Sequence, residues 1–263
     1  MVAPDEPNQL TERAAPPHGA GDSNLQAWPR RPARLATAVV EDLVDRIVGG
    51  ELPVGSALPT EPVLCEMFSV SRTVVREAVK SLEGMGLVRA QQGLGTRVRE
   101  AEAWDLLNPV VLAASVRHDA ERSILEDLVS VRRALESQMA GQASRSATDA
   151  QLAHIEAALD LVKAEEADTA RFFRADLAYH DAIMEASGNR FARAVIHAVN
   201  TEAFRSLRYI GEPTLEDCRQ SNLEHEDIFN RLKARDDAGA AHAMDQHIHD
   251  SWLKRRPQAR PQS

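Results

Sequence analysis

Four residues of the chain are of types that hold metal ions, and their spacing lets them meet. Asp176 and His180 stand one helical turn apart in "RADLAYHDAIMEASGN" (174–189), so a carboxylate oxygen and an imidazole nitrogen can address one point from one helix face. His225 and His247 lie on either side of the break "RDDAGA", each eleven residues from a turn placed at Asp236. Eleven residues rise roughly 16 Å and complete about three turns, so in an antiparallel hairpin the two imidazoles come level. One oxygen and three imidazole nitrogens suit a divalent transition metal, Zn2+ first, with Ni2+ or Mn2+ as alternatives. The spacing leaves simpler readings open: Asp176 and His180 as a local charge pair, and His242 or His249 as competing histidines.

The elements that must carry these residues are helices. Beyond residue 101 apolar residues recur at helical spacing over about 104–116, 122–144, 148–166, 170–187, 190–210, 215–235 and 237–254, which predicts an all-α bundle of six or seven helices, large enough for an internal pocket. Ahead of it the pattern is different. Leu35, Val39, Leu43 and Ile47 form an i+4 stripe that stops at Gly49–Gly50. Thr60 is placed to cap a short second helix with Pro62 in its first turn, and Ser71 to cap a third running to about Gly84. "LVRAQQGLGTRVR" (87–99) then offers two short strands around Gly93 and Gly95. Three helices plus a β-hairpin in this order predict a winged helix-turn-helix, so the fold class is mainly α. Residues 1–33 hold six of the 13 prolines and almost no bulky apolar side chain, and are expected to be a flexible arm. The expected divisions are thus 1–33 arm, 34–99 winged helix, 100–254 helical domain and 255–263 tail.

Charge separates the two halves. The chain of 263 residues has a net charge of −9, yet residues 30–100 carry ten Lys/Arg against nine Asp/Glu, whereas 101–263 carry twenty against twenty-seven. A polyanion would therefore be met by the first part. On the third helix Val75, Ala78, Val79 and Leu82 face inward, which leaves Arg72, Thr73, Arg76 and Lys80 outward. Cations at i, i+4 and i+8 on the second helix of a turn-linked pair suit the DNA major groove, where arginine pairs bidentately with guanine. Gly93 and Gly95 allow close approach to a phosphate, and Thr96, Arg97 and Arg99 sit where a wing meets the backbone. A solvated helix with Glu77 as a partner, and an ordinary hairpin, are the plainer alternatives. The two cysteines, Cys65 and Cys218, have no zinc-finger spacing, and no run of 18 apolar residues exists. A cytoplasmic protein with no membrane partner is expected.

The run "IVGGELPVGSALPTEPVLCEMFSVSRTVVREAVKSLEGMGLVRAQQGLGTRV" (47–98) resembles the DNA-binding half of GntR-type transcription regulators, with its GE..PG..LP.E segment, VSR..VREA helix and G.G wing. That resemblance gives Ser71, Arg72, Thr73, Arg76 and Gly93 to DNA contact. Pro62 departs from it, since family members often have a basic residue there. The D-x3-H and H-x21-H arrangement, with "SGN" (187–189), resembles the FCD-type effector domain of the FadR branch. The resemblance implies that Asp176, His180, His225 and His247 hold a metal that helps to bind a small carboxylate, that Arg132 contacts that carboxylate, and that Asn189 lines the pocket. An i,i+4 pair with Glu136 is the alternative for Arg132. "WDLLNPVVL" (104–112) resembles members that respond to sugar acids. The implied protein is a homodimeric, ligand-responsive repressor that binds near-palindromic operator DNA and is released or retained by a sugar acid or hydroxy acid. The competing reading is a metal-dependent enzyme acting on a small organic acid. It lacks an HExxH motif, and Glu224 and Glu226 point away from His225 on a helix, which leaves no base beside the metal.

Overall fold

The computed structural model describes residues 30–119, 123–205 and 213–255. The arm expected over residues 1–33 lies outside the described residues up to residue 29, but residues 30–33 already belong to the first helix; the tail expected over 255–263 lies outside them from residue 256.

Three helices open the fold: α1 (Arg30–Val48), α2 (Glu61–Phe68) and α3 (Arg72–Gly84). On α1 the stripe buries Val39, Leu43 and Ile47, joined by Val40 and Val44, whereas Leu35, expected to head it, is 51% exposed. Ser71 caps α3 through its hydroxyl, which accepts from the Val74 N–H, and Val74, Val75, Ala78 and Leu82 are buried beneath it. β1 (Val88–Gln91) and β2 (Gly95–Val98) pair antiparallel, with Gly93 and Gly95 at φ of 76° and 78° forming the turn. A third segment closes on the other edge of β2: Leu58 N–H donates to Thr96 O, and Val98 N–H to Ser56 O. Its pairing is too short to show as alternation in "GSAL".

A 3-10 turn (Ala101–Ala103) leads to α4 (Pro109–His118). This helix starts five residues later than apolar spacing predicts, because Pro109 fits the first turn and the Asn108 Oδ1 accepts from Val110 N–H to cap it. Its neighbouring residues enter different cores. Val111 and Ala114 pack with Val44, Leu82 and Leu87 of the winged helix, while Leu112 and Val116 pack with Leu125 and Trp252. In its last turn, Arg117 and His118 both reach Asp45 of α1, at 2.8 and 3.0 Å.

The remaining helices are α5 (Ser123–Ser146), α6 (Asp149–Ala164), α7 (Thr169–Ala186), α8 (Arg190–Arg205), α9 (Leu215–Lys233) and α10 (Asp237–Arg255). Their starts are sharp because each of three has a capping side chain: Thr148 with Gln151, Asp168, and Thr214 with Asp217. α5 packs along α10 and across α7, α9 lies antiparallel to α10, and α6 covers α7 and α9 from outside. Ile155, Tyr179, Ile183, Ile228, Leu232, Met244 and Ile248 fill the space between them. Each such side chain contributes about 1.5–3 kcal/mol by leaving water, which fixes how the helix faces are rotated. No helix among the described residues is long and apolar enough to cross a membrane.

Candidate functional site

The α9–α10 turn falls where eleven-residue spacing requires it. Arg235 takes φ of 58° and Asp236 Oδ1 accepts from Gly239 N–H at 2.9 Å to start α10. Counting back and forward from there brings the Nε2 atoms of His225 and His247 to 3.1 Å from one another. α7 supplies the other two groups: His180 Nε2 lies 3.3 Å from His247 Nε2, and Asp176 Oδ1 lies 3.2 Å from His225 Nε2. Asp176, His180, His225 and His247 thus each bring one donor atom within 4.8 Å of the others. All three histidines are buried, and Asp176 is nearly so. Tyr179 supports the cluster from α7, its hydroxyl donating to the His225 carbonyl at 2.9 Å.

For two of the rings the far side decides the proton. His180 Nδ1 faces Glu136 Oε2 at 2.7 Å, and His247 Nδ1 faces Glu224 Oε2 at 2.8 Å. Carboxylates there require N–H on Nδ1, so both Nε2 atoms turn lone pairs into the cluster. Burial drives His247 down to about pKa 3, with His225 adding to the effect and Glu224 opposing it. Burial also lowers His225, against Asp176. Asp176 would be raised by burial, but its hydrogen bond with His225 and the charges of the histidines hold it well below the usual carboxylate range. His225 and His247, held neutral by burial, do not supply the positive charge that a buried carboxylate needs, and the nearby Arg132 guanidinium is already engaged by Glu136. A divalent ion satisfies all four groups at once. Neighbouring donors about 2.0–2.1 Å from one ion stand roughly 2.9–3.4 Å apart, close to the three separations of 3.1–3.3 Å given above, with the whole set inside 4.8 Å. His225 Nδ1, buried with no hydrogen-bond partner, fits a ring that is held through Nε2. The donor set therefore fits such an ion.

Arg132 lies beside this cluster. Its Nε donates to Glu136 Oε1 at 2.7 Å, so the i,i+4 pair forms, and Asp176 is also close enough to help hold the guanidinium charged against burial. Asn189 caps α8, its Oδ1 accepting from Ala192 N–H at 3.1 Å. Glu224 does point away from His225, yet it reaches the next histidine across the hairpin and also takes Lys254 at 3.0 Å. Glu226 pairs with Lys163. His242 is exposed, and His249 lies near Arg133 rather than the cluster. Sequence reasoning missed Glu136 and Glu224 as ring partners. Glu136 lies four residues from Arg132, and that local spacing hid its longer reach to α7.

In the winged helix, Arg72, Thr73, Arg76 and Lys80 are all exposed on one face of α3, with Ser71 at its capped end. Arg76 is not isolated there: its Nε donates to both oxygens of Glu61, the first residue of α2, at 3.0 and 3.1 Å. Arg97 turns back from the wing, Nη1 donating to Gly55 O at 2.6 Å, and Thr96 is half-buried. Arg89 stands opposite Arg97 across the ladder, and together with Arg99 they line a shallow cleft at the wing's base.

Residues 35–98 match the gntR family of bacterial regulatory proteins, and residues 127–250 match the FCD domain. The chain is 34% identical over 206 residues to the HTH-type transcriptional regulator LutR of Bacillus subtilis, covering 77% of this chain and 92% of the relative. It is 29% identical over 207 residues to the galactonate operon transcriptional repressor of Escherichia coli, covering 78% and 90%. It is 30% identical over 237 residues to the HTH-type transcriptional repressor NanR of Cronobacter sakazakii, covering 87% and 89%. Among solved structures, that of Lar, described as controlling the expression of the Listeria monocytogenes agr system, covers 87% of this chain and 98% of its own, with a TM-score of 0.55 and 13% identity. That last likeness is one of fold alone.

Proposed function

The chain belongs to the gntR family of bacterial regulatory proteins and carries an FCD domain, so it is a transcriptional regulator; from that premise we propose that it is a metal-dependent, carboxylate-responsive repressor. Its matched families and relatives are regulators, which sets aside a metal-dependent enzyme. The observation that carries the finer reading is the convergence of three imidazole Nε2 atoms and Asp176 on one point. In this reading Asp176, His180, His225 and His247 hold a divalent ion, Zn2+ in preference to Ni2+ or Mn2+. The ion supplies Lewis-acid attraction for an oxygen of the effector.

The charge around the site favours an anionic effector. Arg132 and Lys254 are set against Glu136, Asp176 and Glu224, a balance one unit negative. A divalent ion makes it one unit positive, and a single carboxylate neutralises it. Arg132 is the residue proposed to orient that carboxylate, with Asn189 as a further lining group. The galactonate operon repressor among the relatives suggests aldonic and other hydroxy acids as the class to try. At the other end, Arg72, Thr73, Arg76 and Lys80 would enter the major groove of operator DNA, with Ser71, Gly93, Thr96 and Arg97 at its backbone. A homodimer would present two such helices to a near-palindromic site in the cytoplasm. α4, which packs in both cores, gives the effector a physical route to their spacing.

The test is fluorescence anisotropy on labelled DNA from upstream of the coding sequence, titrated with galactonate and related aldonates, with and without a chelator. Operator affinity that shifts with one acid, only when metal is present, supports the reading. Purified protein with no stoichiometric metal, and no metal uptake on titration, would overturn it.

A further inference from the structure

Glu136 touches both halves of the ligand site, although the motif gives it no role and the proposed function counts it only as a charge. It is 1% exposed, and its two oxygens serve different partners: Oε1 accepts from Arg132 Nε and Oε2 faces His180 Nδ1, each at 2.7 Å. The other rings are treated differently. His247 leans on Glu224, which is partly open to water and shared with Lys254 and Gln220. His225 Nδ1 has no partner. One histidine is thus anchored by a buried, shared carboxylate, one by an exchangeable carboxylate, and one by none.

Resting on the reading of the cluster as a metal site, we propose that Glu136 is a positioning residue that ties the metal ligand His180 to Arg132 through one carboxylate. Accepting from Nδ1–H fixes the tautomer and plane of the His180 ring and makes its Nε2 a better donor. The same carboxylate restrains the Arg132 guanidinium through Nε. Because it is buried, Glu136 cannot exchange either partner for water, so displacement at one end is felt at the other. Glu224 can make that exchange, and its anchoring of His247 is local.

A double-mutant cycle on the full-length protein tests this with Zn2+ alone, by competition against a chromophoric chelator, and with Co2+ for its absorption bands. Glu136→Gln is expected to lose about 10–100-fold in Zn2+ affinity and to shift the Co2+ bands, with Glu136→Asp recovering part of both. Arg132→Lys keeps the charge but loses the Nε contact. It should weaken Zn2+ binding a few-fold in the wild-type background and have no further effect beside Glu136→Gln, whereas it should act fully beside Glu224→Gln. Zn2+ affinity within twofold of wild type in Glu136→Gln overturns the proposal, as does an Arg132→Lys effect that survives Glu136→Gln. Wild-type protein that binds no Zn2+ removes the metal site itself and the proposal with it. Should Glu136→Gln lose its helical circular dichroism, Glu136→Asp decides alone: wild-type affinity and bands in that variant overturn the proposal, and weaker binding with shifted bands upholds it.

Discussion

Acidifying the metal-free protein should weaken its helical half by an amount that His247 largely sets. An ordinary histidine titrates near 6.5 in an unfolded chain, whereas burial holds His247 at about 3 in the folded one. A depressed folded pKa gives stability that is whole above about pH 6.5 and is lost as pH falls toward 3. At pH 4.5 the unfolded chain has taken the proton and the folded chain has not. Two pH units at about 1.36 kcal/mol each give about 2.7 kcal/mol, or about 5–10 °C in Tm for a unit of this size. His225, also lowered by burial, adds in the same direction. Glu136, held at about 2 by Arg132 and His180 despite its burial, loses its contribution only below its ordinary range and stays mostly out of this window. The assay is thermal melting in chelator at pH 7.5 and 4.5, followed by far-UV circular dichroism. The variant is His247→Gln, which removes the titrating ring. The difference between the two pH values should shrink by about 2.7 kcal/mol in the variant. An unchanged difference would mean that His247 is not held neutral among the other ligands, and the cluster as described would be wrong.

Arg72→Ala should abolish specific operator binding in a gel-shift assay while leaving the metal content measured by plasma emission unchanged; loss of both would show that the two functions are not separate. Glu61→Gln frees Arg76 from its ion pair. Because that pair is exposed, urea stability should change by no more than about 1 kcal/mol, while selection from a randomised operator should relax at one base pair; uniform weakening would contradict a role in aiming Arg76. Gly86→Ala meets two obstacles, φ of 74° and a Cβ only 2.1 Å from Ala103 O. Left-handed strain and overpacking together should cost about 2–5 kcal/mol, read as a lower urea midpoint, and a midpoint near wild type would refute the close approach.

Much of the fold was legible because long helices write a 3.6-residue period into the chain and end at recognisable caps. The levelling of His225 with His247 followed from helix pitch alone, since the turn at Asp236 is marked by "RDDAGA". What the period cannot say is which helices face each other. Asp176 and His180 could be paired with α9 and α10 only once the apolar faces of Ile183, Ile228 and Ile248 were packed together. Glu136 was visible merely as the fourth residue from Arg132, and its contact with His180 crosses 44 positions. By spacing alone Glu77 is the plainer partner of Arg76, and Arg97 is a wing cation; Glu61 and the Gly55 carbonyl claim them instead, across 15 and 42 positions that no local spacing links. α4 was misread at its start for the opposite reason: Leu106 and Leu107 extend its apolar spacing, but Pro109 with Asn108 fixes the first turn.

The two-sided packing of α4 bears on how such regulators can be recombined. A graft that joins one relative's DNA reader to another's sensor at residue 100 would carry all of α4 with the sensor. Val44, Leu82 and Leu87 would then meet a foreign pair at positions 111 and 114. A cut after residue 118 moves the mismatch to 112 and 116, against Leu125 and Trp252. The workable seam is therefore interleaved: positions 111 and 114 from the reader's parent, positions 112 and 116 from the sensor's, within a single helix.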